Sequence, residues 1–222
     1  PREILFKETR LRLDLPDEKL PLLESLGIQQ LVLIPFDINL SKLSADKFIR
    51  EIVLNKLLAR SISIGENFRF GYKRSGDINT MRGLLKQTNV KLKIIPILED
   101  KFGIISSSRV RKLLLNYDLD NARKLLKRPY TFSGKVIKGK GIGKNIGWPT
   151  ANLQIDGRKF LPGEGVYAAW TIDNKSRKKY PSVMNLGRQP TINPKSPSAV
   201  EVHLINENIN LYELNLTVQP VK

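Results

Sequence analysis

Cysteine is absent from these 222 residues, and histidine occurs once, at His203. Without thiols there is no disulfide, no thiolate nucleophile and no thiolate metal site, and one imidazole cannot build a histidine-rich zinc centre. Aromatic residues are scarce at 7%. No apolar run approaches the ~18–20 residues that a membrane helix needs, and no secretory leader opens the chain. The expectation is a soluble, cytoplasmic protein. Acidic residues are also in short supply: 21 Asp and Glu face 38 Lys and Arg, for a net charge of +17. Such an excess attracts polyanions, whether nucleic acid or nucleotides. It is concentrated between Lys101 and Thr150, where twelve basic residues stand against Asp118 and Asp120.

What is present can bury a core, with 41% hydrophobic and 27% charged residues, and the length suits two modest domains. In the first half, residues 30–36 (QLVLIPF), 61–64 (SISI) and 90–97 (VKLKIIPI) predict buried strands. Between them the spacing predicts helices over 45–59, capped by Ser44, and over about 77–85. An earlier helix is predicted over 18–26, with Asp17 as cap and Gly27 as stop. Alternation of strand and helix implies a parallel sheet with crossover helices. Helices are predicted after Ser106 and over 119–126, ended by Pro129. Beyond Tyr130 the helical period vanishes. Short segments at 131–137, 166–172, 181–185, 200–205 and 211–218 alternate with turn residues, which suggests an antiparallel barrel or sandwich. The domain boundary is expected near 128/129.

The strongest local signal is the stretch 134–152, GKVIKGKGIGKNIGWPTAN. Gly139, Gly141, Gly143 and Gly147 let backbone approach an anion, and Lys138, Lys140 and Lys144 supply countercharge. No Gly-Lys-Ser/Thr leads into a helix, so it is not a Walker A loop. A flexible hairpin loop would show the same composition. At its end, Thr150 and Asn152 are two residues apart and share a face if the chain is extended. Two neutral oxygens beside a phosphate cradle suit magnesium; a turn with a self-bonding Asn is the plainer alternative.

These residues carry a resemblance. GKGIGKNIGWPTAN, LPGEGVYA (161–168), MNLGRQPTI (184–192) and VEVHLI (200–205) resemble, in order, the kinase module of bifunctional bacterial riboflavin kinase/FAD synthetases. PFD (35–37), LSADKFI (43–49), IGENFRFGYKRSGD (64–77) and ISSSRVR (105–111) resemble that family's adenylyltransferase module. The resemblance implies a Rossmann-like nucleotidyltransferase domain over 1–128, followed by a small Greek-key β-barrel kinase domain over 129–222. It implies ATP-dependent phosphorylation of riboflavin to FMN and adenylylation of FMN to FAD, with Mg2+ accompanying ATP.

Carried over residue by residue, the resemblance makes Glu201 the catalytic base and Thr150 and Asn152 the metal pair. It makes Gly139, Lys140, Gly141, Gly143, Lys144, Gly147 and Pro149 the nucleotide loop of the kinase. Asn185, Gly187 and Arg188 shape the flavin side. In the other module Ser107, Ser108, Arg109 and Arg111 grip ATP phosphates, and Phe68 and Phe70 lie near the flavin. The residues alone leave alternatives open: Glu201 as a solvent-facing strand residue, 106–111 as an N-cap with a basic helix, and the phenylalanines as core. His203 is expected to be structural. Riboflavin, FMN and ATP are the expected partners, with no nucleic acid and no membrane; the oligomeric state is not legible.

The family's adenylyltransferase also carries a GxFDGxHxGH loop, and its kinase a closing C-terminal helix. Neither pattern occurs in these 222 residues. Both modules are therefore expected to be incomplete here, and adenylyl transfer is not expected of these residues alone. The alternative reading, from another class, is a basic nucleic-acid-binding protein with a β-barrel. Against it, only Phe102 and Tyr117 interleave the basic stretch before Arg128, too few for base stacking.

Overall fold

A computed structural model describes residues 2–7, 11–138, 149–187, 200–207 and 209–222. The chain forms two compact units, Pro1–Thr9 with Leu31–Ile105, and Arg10–Gln30 with Ser106–Lys222.

In the first unit, β1 (Ser61–Gly65) and β2 (Lys91–Ile95) pair in parallel, with Ser61 opposite Lys91. The crossover between them contains the helix Ile78–Leu85, whose N-cap Asp77 accepts from the Thr80 amide at 2.9 Å. That cap holds the Asp77 carboxyl below its ordinary range, with help from the Thr80 hydroxyl. Ile49, Ile64, Phe70, Met81 and Leu85 form the core. The helix expected over 45–59 begins at Ser44, whose hydroxyl caps the Lys47 amide. After Ala45–Lys47 it widens into a π-helix over Phe48–Lys56. A short antiparallel pair, Glu99–Asp100 with Gly103–Ile104, was not expected from sequence. The strand expected at 30–36 does not form: that stretch has no regular structure, and Leu33 is 78% exposed. Apolar composition states a demand for burial, but a strand also needs a ladder partner, and among the described residues β1 is bonded only to β2.

The second unit is built on a closed six-stranded antiparallel barrel. Its strands are β5 (Phe132–Ile137), β6 (Ala151–Ile155), β7 (Gly165–Asp173), β8 (Lys179–Leu186), β9 (Val200–Leu204) and β10 (Asn215–Pro220); the pair at 99–104 supplies β3 and β4. Around the barrel the order is β10-β5-β6-β9-β8-β7. Closure leaves no strand edge unpaired. The strict alternation of each strand explains the interior. Val200, Val202 and Leu204 of β9, and Ala151, Leu153 and Ile155 of β6, are buried, whereas the residues between them face outward. The two buried hydroxyls of Thr171 and Ser182 satisfy each other at 2.8 Å across β7 and β8.

Close packing of β5 on β6 depends on Gly134. A Cβ there would lie 2.6 Å from both the Gln154 carbonyl oxygen and Ile155 Cδ1. Gly134→Ala is expected to cost about 1–3 kcal/mol through overpacking, read as a lower urea midpoint. An unchanged midpoint would show that the strands part without cost.

Helices Ser107–Leu115 and Leu119–Leu126 belong to the barrel's unit. So does the segment 11–28, which holds the helix Pro16–Ser25. That helix starts two residues before the sequence expectation, because Pro16 takes its first position and Asp17 lies inside rather than capping. It stops where expected: Gly27 at φ 80° lets its amide reach the Glu24 carbonyl and the Ile28 amide reach that of Leu23.

Candidate active site

β6 and β9 run antiparallel with Asn152 opposite Glu201, and β8 and β9 with Asn185 opposite Glu201. On the far side of β8, Val166 of β7 faces Asn185. One row across the outer face of the barrel therefore reads Asn152, Glu201, Asn185, Val166. Laterally paired Cα atoms sit about 4.5–5.5 Å apart, so the carboxylate of Glu201 is flanked by two carboxamides on neighbouring strands. Val166 closes the row with an aliphatic surface that is 71% exposed. Glu201 and Asn152 are half-buried, and Asn185 is exposed.

Thr150 directly precedes β6 and is exposed. It also lines a cleft of about 490 Å³ at the mouth of the barrel. The cleft is walled by Ile137, Lys138 and Pro149 on the stems of the glycine-rich loop, and by Glu207, Ile209 and Tyr212 on the segment between β9 and β10. Thr150 thus lines this cleft, whereas Asn152, Glu201 and Asn185 lie outside its lining. Of the expected nucleotide loop, Gly139, Lys140, Gly141, Gly143, Lys144 and Gly147 lie outside the described residues, as does Arg188; Pro149 is described. Gly187 follows β8 directly and is half-buried. His203, next along the outer face of β9 from Glu201, places Nδ1 2.9 Å from the Pro149 carbonyl oxygen.

The donor chemistry at this face bears on a metal. Among the described residues, no group of three His, Cys, Asp or Glu could hold an ion unaided. Thr150 and Asn152 offer neutral oxygens only, a set that suits magnesium bound through phosphates and water rather than a metal cage of protein ligands.

The loop entering β7 is braced from the helical side. Tyr117 donates to the Glu164 carbonyl at 3.0 Å, and its ring occupies the space a Cβ on Gly163 would need. Tyr167 donates to the Gly163 carbonyl, and burial beside Tyr117 pushes its phenol up to about 12.

The residues expected to grip phosphate in the other module divide. Ser106 caps its helix by accepting from the Arg109 amide at 3.3 Å. Ser107 and Ser108 are exposed on the first turn, with Arg109 half-buried behind them. The guanidinium of Arg111 donates to the Leu11 carbonyl at 3.2 Å and lies over the Phe160 ring at 5.8 Å. Phe68 and Phe70 belong to the first unit. Phe70 is core, stacked on half-buried Phe68 with ring centroids 5.6 Å apart.

Two features escaped the sequence reading. Glu207, Ile209 and Tyr212 sit in a loop without a motif, and the contact of His203 joins residues 54 apart.

Comparison with known proteins supplies the context. Residues 126–222 match the riboflavin kinase family model, and residues 1–109 match that of FAD synthetase. Among curated proteins, the bifunctional riboflavin kinase/FMN adenylyltransferase of Buchnera aphidicola subsp. Schizaphis graminum is 40% identical over 215 residues, covering 96% of this chain and 68% of that protein. The Haemophilus influenzae protein of the same name is 34% identical over 219 residues, again covering 96% and 68%. A solved structure titled as a macrolide-efflux protein from Streptococcus pneumoniae superposes with a TM-score of 0.82 at 28% identity, covering 95% of this chain and 66% of that one. Among the described residues, no helix is long and apolar enough to cross a membrane.

Proposed function

The chain belongs to the bifunctional riboflavin kinase/FMN adenylyltransferase family, an enzyme family of flavin cofactor biosynthesis that uses ATP, and on that premise we propose that the outer face of its barrel is the riboflavin kinase centre. The observation that carries the reading is the register that sets Asn152, Glu201 and Asn185 side by side, with Thr150, two residues before Asn152, lining the cleft. Glu201 takes the proton from the riboflavin 5′-hydroxyl as that oxygen forms its bond to the γ-phosphorus of ATP. The bond from that phosphorus to the bridging oxygen breaks, and ADP leaves. Asn185 and Asn152 flank the carboxylate with hydrogen-bonding amides that carry no competing charge. Val166 offers an apolar edge to the flavin. The cleft receives the nucleotide, with Lys138 countering phosphate charge and Tyr212 and Ile209 walling its apolar side. Thr150 and Asn152 would hold Mg2+, which supplies charge neutralisation to the phosphoryl oxygens when bound.

For the second activity we place the phosphate contacts at Ser107, Ser108 and Arg109. Arg111, also of that set, is held beside them by the Leu11 carbonyl and the Phe160 ring. The functional boundary is set near 128/129, supported by the riboflavin kinase match that begins at residue 126.

The test is a magnesium titration of riboflavin phosphorylation. Thr150→Ala is expected to shift the half-saturating magnesium concentration upward by roughly tenfold, the loss of one ion-directed ligand contact. An unchanged titration removes Thr150 from the metal site.

A further inference from the structure

The residue that presents Thr150 is held from a neighbouring strand. Pro149 has no amide hydrogen, so its carbonyl is the one backbone group it can offer to a hydrogen bond. The last laterally paired position of β6 is Ala151, opposite Val202; Pro149 and Thr150 precede the strand, where the glycine-rich loop returns to the barrel. Across that junction, His203 Nδ1 lies 2.9 Å from the Pro149 oxygen. A carbonyl only accepts, so Nδ1 carries the hydrogen and donates. His203 and Glu201 alternate with buried Val202, so both project from the outer face of β9.

We infer that His203 is a positioning residue of the kinase reaction, fixing through Pro149 the point from which Thr150 is presented to the nucleotide, in register with Glu201 on the same strand. The inference rests on the kinase reading of Thr150 and Glu201. Its consequence is specific: loss of the tether loosens the nucleotide side of the site and leaves the flavin side alone.

Two isosteric amides isolate the contact. The carboxamide nitrogen of an asparagine occupies about the place of Nδ1, whereas that of a glutamine occupies about the place of Nε2. In the intact protein, His203→Gln is expected to raise KM for Mg-ATP roughly five- to tenfold, the effect of one lost hydrogen bond. KM for riboflavin and the melting temperature should stay at the wild-type values. His203→Asn is expected to restore KM for Mg-ATP to within about twofold of wild type. A wild-type KM in the Gln variant, or an Asn variant as impaired as the Gln variant, overturns the inference. Glu201→Gln assayed alongside separates the two levels. An inactive Glu201 variant beside a normal His203→Gln sinks the tether alone, and an active one sinks the kinase reading beneath it.

Discussion

Glu201→Gln is expected to slow riboflavin phosphorylation on the order of 10²–10⁴-fold, with KM for Mg-ATP close to wild type. The substitution keeps the length and the shape of the side chain and its place opposite Asn152 and Asn185. Val200 and Val202 stay inside the barrel, so the fold has no reason to change. What disappears is the ability to accept a proton as the hydroxyl oxygen attacks. Asn152 and Asn185, the lateral neighbours, are carboxamides and cannot replace that function. The defect should therefore appear in kcat rather than in nucleotide binding, and shortening to Asp should fall between the two. Steady-state turnover at saturating Mg-ATP reads the effect directly. Turnover within a few-fold of wild type would return Glu201 to the status of a half-exposed strand residue.

That position was legible in the sequence because period two is unambiguous where one face is buried. In VEVHL the alternation names both the strand and the face of Glu201, and β9 forms over Val200–Leu204. Helix starts were equally legible where a side chain caps: Ser44, Asp77, Ser106 and Asp118 each accept the amide three residues on. The exceptions have physical reasons. ANLQI is too short and too polar to announce β6, yet its ladder with β9 brings Asn152 to the site. QLVLIPF has strand composition without a paired edge, since composition carries no information about partners. The cleft draws Lys138, Thr150 and Tyr212 from separate stretches, and the lateral order β10-β5-β6 brings them together. The family motifs in the first half are legible as a pattern, but the contacts of Arg111 with Leu11 and Phe160 are not.

The least legible residue is also the one with the largest expected effect on stability. Lys159 is fully buried in the loop from β6 to β7, where nothing in DGRKF distinguishes it from a surface lysine. Its ammonium donates to Glu18 Oε2 and to the Leu13 carbonyl, each at 2.6 Å, and stands 4.8 Å from the Tyr130 ring centroid. Tyr130 in turn donates to the Phe160 and Leu13 carbonyls, and Arg128 pairs with Asp14 at 2.6 Å. These contacts fasten the segment 11–18 to the barrel. Removing one member of a buried pair strands its partner's charge, so Lys159→Met is expected to destabilise the protein by about 3–5 kcal/mol. Lys159→Met combined with Glu18→Leu should recover much of that loss, because no charge is then left unpaired. The sign of the pH dependence follows from burial. Desolvation lowers the Lys159 pKa from 10.5, with Glu18 opposing. The unfolded chain then binds more protons than the folded one between the lowered value and 10.5, and the lysine's contribution to stability rises with pH across that window. Burial raises the Tyr130 phenol, mainly by desolvation, so its contribution is full below about 10 and falls as pH climbs further. The two slopes oppose each other in wild type. Subtracting the Lys159→Met curve from the wild-type curve largely removes the tyrosine, so the stability difference in urea should widen as pH rises toward 10.5. A difference of under 1 kcal/mol, flat with pH, would mean that the lysine is neither desolvated nor paired as this geometry requires.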